Sequence, residues 1–267
     1  MTYLSRIRIN PLRAESRRLL GNPRAVHGAV MGGLPGAADG ERVLWRLDAD
    51  DPHRPHLFVL TRSRPDWSHI VENAGWPGAD GDHAVIRDYT PLLARIAADQ
   101  EFAFRLTANP VQNTATPTKL TPTQEAHLTE AAGKRTRGFR IGHRTAAAQL
   151  DWFLSRTERW GFTVPASRTD APAPGLSEPS GALAGAPEAD TRPSRPAREV
   201  RITERRRHSF AKNGRGNHVT FHTATFEGRL RITNPALFTA RLLEGIGPSK
   251  AYGCGLLTLA PLPGRQE

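Results

Sequence analysis

Short alternating apolar segments and short helical ones follow each other in the order β, α, β, β, α, β, and this order constrains the fold more than any other feature of the chain. Leu4, Ile7 and Ile9 alternate with polar residues in a strand pattern that Pro11 ends. A helical stretch over 13–20 comes next. Asn22 and Pro23 then supply an N-cap and a first helical residue for a second helix, which Gly32 and Gly33 close. "RVLWRLDAD" and "PHLFVLTRS" read as a hairpin, "PDWSHIVENAG" as a helix and "EFAFRLTANP" as a strand. The same order can be laid over the rest. "TRGFRIG" is strand-like, and "TAAAQLDWFLSRTERWG" has helical spacing at Leu150, Phe153 and Leu154, closed by Gly161. "REVRITERRRHSF" and "NHVTFHTATFEGRLRIT" follow as strands, "NPALFTARLLEGIG" as a helix and "GCGLLTLAP" as a last strand. The expected fold is α+β: tandem ferredoxin-like (βαββαβ) domains with antiparallel sheets, one over 1–114 and one over 115–267. Residues 165–198 hold seven prolines and few large apolar side chains, so they are expected to be a flexible insertion in the second domain.

Lysine and arginine number 37 against 26 acids, a formal charge of +11, which suits a polyanionic partner. Cys254 is the only cysteine, so neither an internal disulfide nor a cysteine-based zinc cluster can form. No stretch approaches the roughly 18–20 apolar residues of a membrane span, and the N-terminus lacks a signal-peptide core. The expectation is a cytoplasmic chain without a membrane partner.

"GIGPSKAYGCGLL" places Gly245, Gly247, Gly253 and Gly255 around Ser249 and Lys250. A phosphate-binding P-loop needs Lys and Ser or Thr directly after its last glycine, but Cys254 follows Gly253. A dinucleotide fingerprint opens a helix, whereas this loop leads into a strand. No free nucleotide cofactor is expected. The loop either holds a nucleic-acid phosphate through backbone N–H groups, Ser249 and Lys250, or is a tight connection whose glycines permit close packing.

Basic residues gather in two places. Residues 201–231 carry Arg201, Arg205, Arg206, Arg207, Lys212, Arg215, Arg229 and Arg231 against Glu204 and Glu227. Residues 134–144 carry Lys134, Arg135, Arg137, Arg140 and Arg144 with no acid. "RRRHSFAKNGRGNH" reads as a basic hairpin or loop tip suited to a structured RNA. Neither His218 with His222 nor His53 with His56 has a third ligand close in sequence, and no metal is expected. His27 stands out by context, just inside a capped helix and beside Gly28 and Ala29. An imidazole moves protons at neutral pH, and RNA carries its own nucleophile in the 2′-hydroxyl.

Several of these segments resemble one family. "YLSRIRINPLRAESRRLLGNPRAVHGAVM" is similar to the N-terminus of the CRISPR-associated endoribonucleases of type I-E Cascade, the CasE family of the RAMP superfamily. "RVLWRLD" and "FRLTANP" resemble its internal strands, and "FEGRLRITNPALFTARLLEGIGPSKAYGCGLLTLAP" its C-terminal glycine-rich signature. The likeness covers nearly all of the chain outside 165–198. It implies tandem ferredoxin-like domains, metal-independent cleavage of CRISPR precursor RNA at the base of each repeat hairpin, a 2′,3′-cyclic phosphate and a 5′-hydroxyl. It also implies retention beside other Cascade subunits. His27 matches the family's catalytic histidine. Several relatives have a tyrosine three residues earlier; here Arg24 stands there, suited to stabilise developing charge. Arg17, Arg18, Arg205, Arg206, Arg207, Lys212, Arg215, Ser249 and Lys250 are the implied RNA contacts. The same superfamily contains subunits that bind guide RNA without cutting it, so a non-catalytic scaffold is the alternative.

Overall fold

The computed structural model describes residues 1–36, 40–79, 81–114, 139–167, 197–211 and 218–262. Lys134, Arg135, Arg137, Lys212, Arg215 and most of the Pro-rich segment lie outside the described residues.

The first sheet contains β1 (Tyr3–Arg8), β2 (Leu44–Asp48), β3 (His56–Thr61) and β4 (Ala84–Asp88), all antiparallel, in the order β2-β3-β1-β4. Helices α1 (Ala14–Gly21), α2 (Pro23–Gly32) and α3 (Ser68–Ala74) connect them. Ile7, Ile9, Val26, Val30, Val59 and Ile70 form the core between sheet and helices. Asn22 ends α1 and caps α2, where its side chain accepts from the Arg24 N–H, and Pro23 takes the first turn. A short fourth helix, α4 (Thr90–Ala94), leads to the second sheet.

That sheet runs β11-β5-β10-β8, with β9 also paired to β10. Its members are β5 (Glu101–Ala108), β8 (Phe162–Thr163), β9 (Val200–Ala211), β10 (His218–Ile232) and β11 (Leu257–Ala260). Helices α5 (Ala146–Leu154) and α6 (Pro235–Glu244) complete the second βαββαβ unit, with β8 and β9 sharing the role of its second strand. Phe104, Phe153, Phe162, Phe226 and Phe238 dominate its core, and the Phe153 and Phe226 rings stack with centroids 4.6 Å apart. The tandem ferredoxin-like α+β fold is as expected.

Two strand assignments differ from the sequence reading. Residues 101–108 do not close the first unit; they pair with β10 and β11 and open the second. The first unit closes on β4, a short strand whose residues are half-buried or exposed and whose alternation is weak. The sheet therefore changes between Asp88 and Glu101, ahead of residue 114. Among the described residues, strand 139–142 (β7) pairs with β6 (Val111–Thr114) alone, in a separate two-stranded ribbon. Period-two alternation marks a strand but carries no information about which sheet it joins.

A third apolar cluster joins the units. Leu4, Leu44, Leu60 and Tyr89 pack there against Leu256 and Leu243. Beside it Arg46, 2% exposed, pairs with Asp48 at 2.7 Å and donates to the Arg105 carbonyl at 2.8 Å and the Leu256 carbonyl at 3.1 Å.

Candidate active site

The chemistry-bearing stripe lies on α2. Ala25, Val26 and Val30 bury one face of the helix, and this leaves Arg24, His27, Gly28 and Met31 along the other at helical spacing. Arg24 is exposed one turn before His27. A Cβ at Gly28 would meet nothing within 4 Å, so the surface beside the imidazole is open. His27 is half-buried; its Nδ1 is shielded without a hydrogen-bond partner, and burial pulls its pKa below the usual histidine value. The neutral ring is therefore the dominant form at pH 7, able to accept a proton.

The glycine-rich loop approaches the first unit. Gly253 has φ +82°, and a Cβ there would stand 2.6 Å from the Trp45 ring; at Gly245 it would stand 2.6 Å from Leu44. These two glycines let the loop close on β2. Ser249, itself at φ +62°, accepts from Asn109 Nδ2 at 2.8 Å, and Lys250 Nζ donates to the Gly247 carbonyl at 2.8 Å. Burial, with Arg42 and Arg241 nearby, lowers the Lys250 pKa. Lys250 braces the loop internally and Ser249 ties it to Asn109 after β5, so a role in RNA contact must be shared with that bracing. The turn Lys250–Tyr252 packs directly on α2.

The basic run is divided rather than gathered at a tip. Arg205, Arg206 and Arg207 lie inside β9, and their side chains alternate between its faces. Arg206 joins Glu204 and His208 on the side that lines a cleft with Pro23, Val26, Tyr252 and Gly253. It pairs with Glu204 at 2.8 Å. Arg205 reaches Gln149 at 2.8 Å and the Arg144 carbonyl, bracing β9 on α5. Arg207 is exposed with no ion pair among the described residues. On α1, Arg17 is exposed and Arg18 pairs with Glu15.

Sequence reasoning missed the aromatic wall of this cleft. Tyr252 stacks on Phe221 (centroids 5.6 Å apart) and meets Phe210 edge-on at 5.1 Å; Phe221 in turn stacks on His208 at 4.8 Å. The signal was available in the alternation of 206, 208 and 210 along one strand, but a run of three arginines hides it. Burial, with Arg206 and His222 nearby, depresses the His208 pKa from 6.5 to about 4. Between those values the unfolded chain binds a proton that the folded chain refuses, so His208 costs stability as pH falls through that window. The melting temperature of His208→Gln should fall less steeply than that of the unsubstituted protein on acidification from pH 6.5 to 4. Parallel slopes in a pH series of thermal melts would remove His208 from this account.

Among the described residues no three His, Cys, Asp or Glu side chains gather to hold a metal ion, and no helix is long and apolar enough to cross a membrane.

A family profile described as "CRISPR associated protein" matches residues 2–261. The chain belongs to the CRISPR-associated protein family. Within it, the chain is 27% identical to the CRISPR-associated endoribonuclease Cse3 of Thermus thermophilus over 97% of this chain and 100% of that one. A 50-residue segment, 19% of this chain and 25% of the relative, is 44% identical to the CRISPR system Cascade subunit CasE of Escherichia coli. The structure of the endoribonuclease Cse3 bound to a 19-nucleotide RNA superposes with a TM-score of 0.66 at 26% identity, covering 97% of this chain and 99% of that one.

Proposed function

We propose that this protein is an endoribonuclease that processes CRISPR precursor RNA, cutting at the base of the repeat hairpin with His27 as the proton-transfer group. The observation that carries this reading is the half-buried imidazole of His27, shielded at Nδ1 and set beside open helix surface, in a chain that matches Cse3 end to end. The RNA supplies its own nucleophile. A neutral His27 takes the proton of the 2′-hydroxyl; the 2′-oxygen attacks the adjacent phosphorus, the bond to the 5′-oxygen breaks, and the departing oxygen takes a proton from water, to which the His27 imidazolium then releases its own. The products are a 2′,3′-cyclic phosphate and a 5′-hydroxyl. Arg24, one helical turn away on the same face, offers its guanidinium to the charge that builds on the phosphoryl oxygens. Arg206 and Arg207 on β9 and Arg17 on α1 bring further positive charge for the RNA backbone. No step in this scheme requires a metal. Similarity to the Cascade subunit CasE supports retention of the enzyme on its product beside other Cascade subunits.

The scheme is tested by incubating the protein with a repeat hairpin in excess EDTA, beside the same RNA carrying one 2′-deoxy nucleotide immediately upstream of the cut. Cleavage of the first at the rate seen without chelator, and none of the second, is expected. Cutting of the deoxy RNA would overturn the 2′-hydroxyl mechanism; intact RNA in every arm would favour a scaffold.

A further inference from the structure

A cationic pocket lies apart from the cleft beside α2. Arg140 on β7, and Arg156 and Arg159 after α5, line it together with Trp152, Trp160 and the Gly247–Pro248 end of the glycine-rich loop. Among the described residues no carboxylate lines it. Asp151 and Glu158, the acids of the same segment, stand outside the lining. None of the three arginines makes an ion pair among the described residues. That contrasts with Arg46, Arg105, Arg229 and Arg231, each of which is paired with a carboxylate.

Arg156 is held in place. Its guanidinium lies over the Trp152 ring, 5.2 Å from the centroid, and Nη1 donates to the Trp152 carbonyl at 2.9 Å and Ser155 Oγ at 3.1 Å. The rest of its donor fork makes no hydrogen bond among the described residues. Burial and the neighbouring Arg159 both work against its charge. A like-charged cluster with no acid raises the energy of the folded protein, and an anion between the guanidinium groups removes that repulsion.

We infer that the Arg140–Arg156–Arg159 pocket binds backbone phosphates of the single-stranded RNA that continues from the hairpin past the cut. This rests on the ribonuclease reading above. The glycine-rich loop gives the direction: its Tyr252–Gly253 end lines the cleft beside α2, and its Gly247–Pro248 end lines this pocket. A strand that follows the loop away from α2 is led toward the three arginines. Planar guanidinium forks bind phosphate oxygens in pairs, and contacts to phosphate carry no sequence information.

The test compares the unsubstituted protein with Arg156→Gln/Arg159→Gln on two RNAs: the bare repeat hairpin, and the hairpin with its single-stranded flanks. Filter binding across a salt series reads affinity and its salt slope, and a thermal melt checks that the variant is folded. The double variant should bind the flanked RNA about 10-fold more weakly, with a salt slope smaller by roughly 0.7 per lost single-strand phosphate contact, and bind the bare hairpin as before. Unchanged affinity and slope on the flanked RNA would overturn the inference, as would equal losses on both RNAs, which would place stem phosphates in the pocket. Loss of folding in the double variant passes the test to Arg159→Gln alone, where the same comparison applies. The ribonuclease reading fails separately: in that case the unsubstituted protein leaves both RNAs uncut, whether or not it binds them.

Discussion

His27→Ala should slow RNA cleavage by about 10²- to 10⁴-fold, the usual effect of removing a proton-transfer group, while affinity for the repeat hairpin stays within a factor of about two. The side chain is half-buried and makes no hydrogen bond among the described residues, so truncation breaks no partner there and removes little packing. The neutral ring also contributes no charge to phosphate binding, which falls to the arginines on α1, α2 and β9. Single-turnover cleavage separates the chemical step from product release, and filter binding with uncleaved RNA reads affinity. Cleavage at the unsubstituted rate would remove His27 from the reaction. A matching loss of affinity would instead make it a binding residue. Arg24→Ala should behave differently from either, because a charge offered to both ground state and transition state affects binding and rate together.

The second large effect concerns the joint between the two ferredoxin-like units. Arg46→Ala should lower the unfolding free energy by about 3–5 kcal/mol, the range found when one partner of a buried ion pair is removed. At 2% exposure its guanidinium is shielded from water; deletion strands the Leu256 carbonyl, leaves the Arg105 carbonyl with the 3.4 Å bond from Thr258 Oγ1, and leaves the Asp48 carboxylate, among the described residues, with the 3.5 Å contact to Arg105. Arg46→Lys cannot restore the bonds, since one ammonium does not reach four acceptors arranged for a planar fork. Urea denaturation gives the difference directly. A loss below about 1 kcal/mol would show that water or a neighbouring side chain takes over the acceptors. The joint also sets where the glycine-rich loop meets α2, so the same variant should cut more slowly even where it remains folded.

Much of the local structure was legible because its causes are local. The cap at Asn22-Pro23, the helix end at Gly33 and the β2–β3 hairpin depend on neighbours within a few residues, and the chain folds there as its pattern dictates. His27 could be singled out for a local reason too, its place just inside the capped helix beside Gly28 and Ala29, and the family resemblance then implied its role. The run Arg205–Arg207 misled because charge along a sequence says nothing about sides, and a strand sends alternate residues to opposite faces. Arg206 thus faces the α2 cleft while Arg205 braces α5.

Sequence by itself determined the kind of most elements and the repetition of their order, since these follow from periodicity, caps and turn residues over short spans; the weakly alternating β4 and the short α4 escaped it. Only the tertiary structure decided that residues 101–108 begin the second sheet, that Gly245 and Gly253 close on Leu44 and Trp45, and that Arg140, Arg156 and Arg159 share one pocket. Each of those outcomes depends on which distant surfaces pack together. Apolar burial rewards many such pairings almost equally per unit area, and it is shape and register across the whole chain that select one.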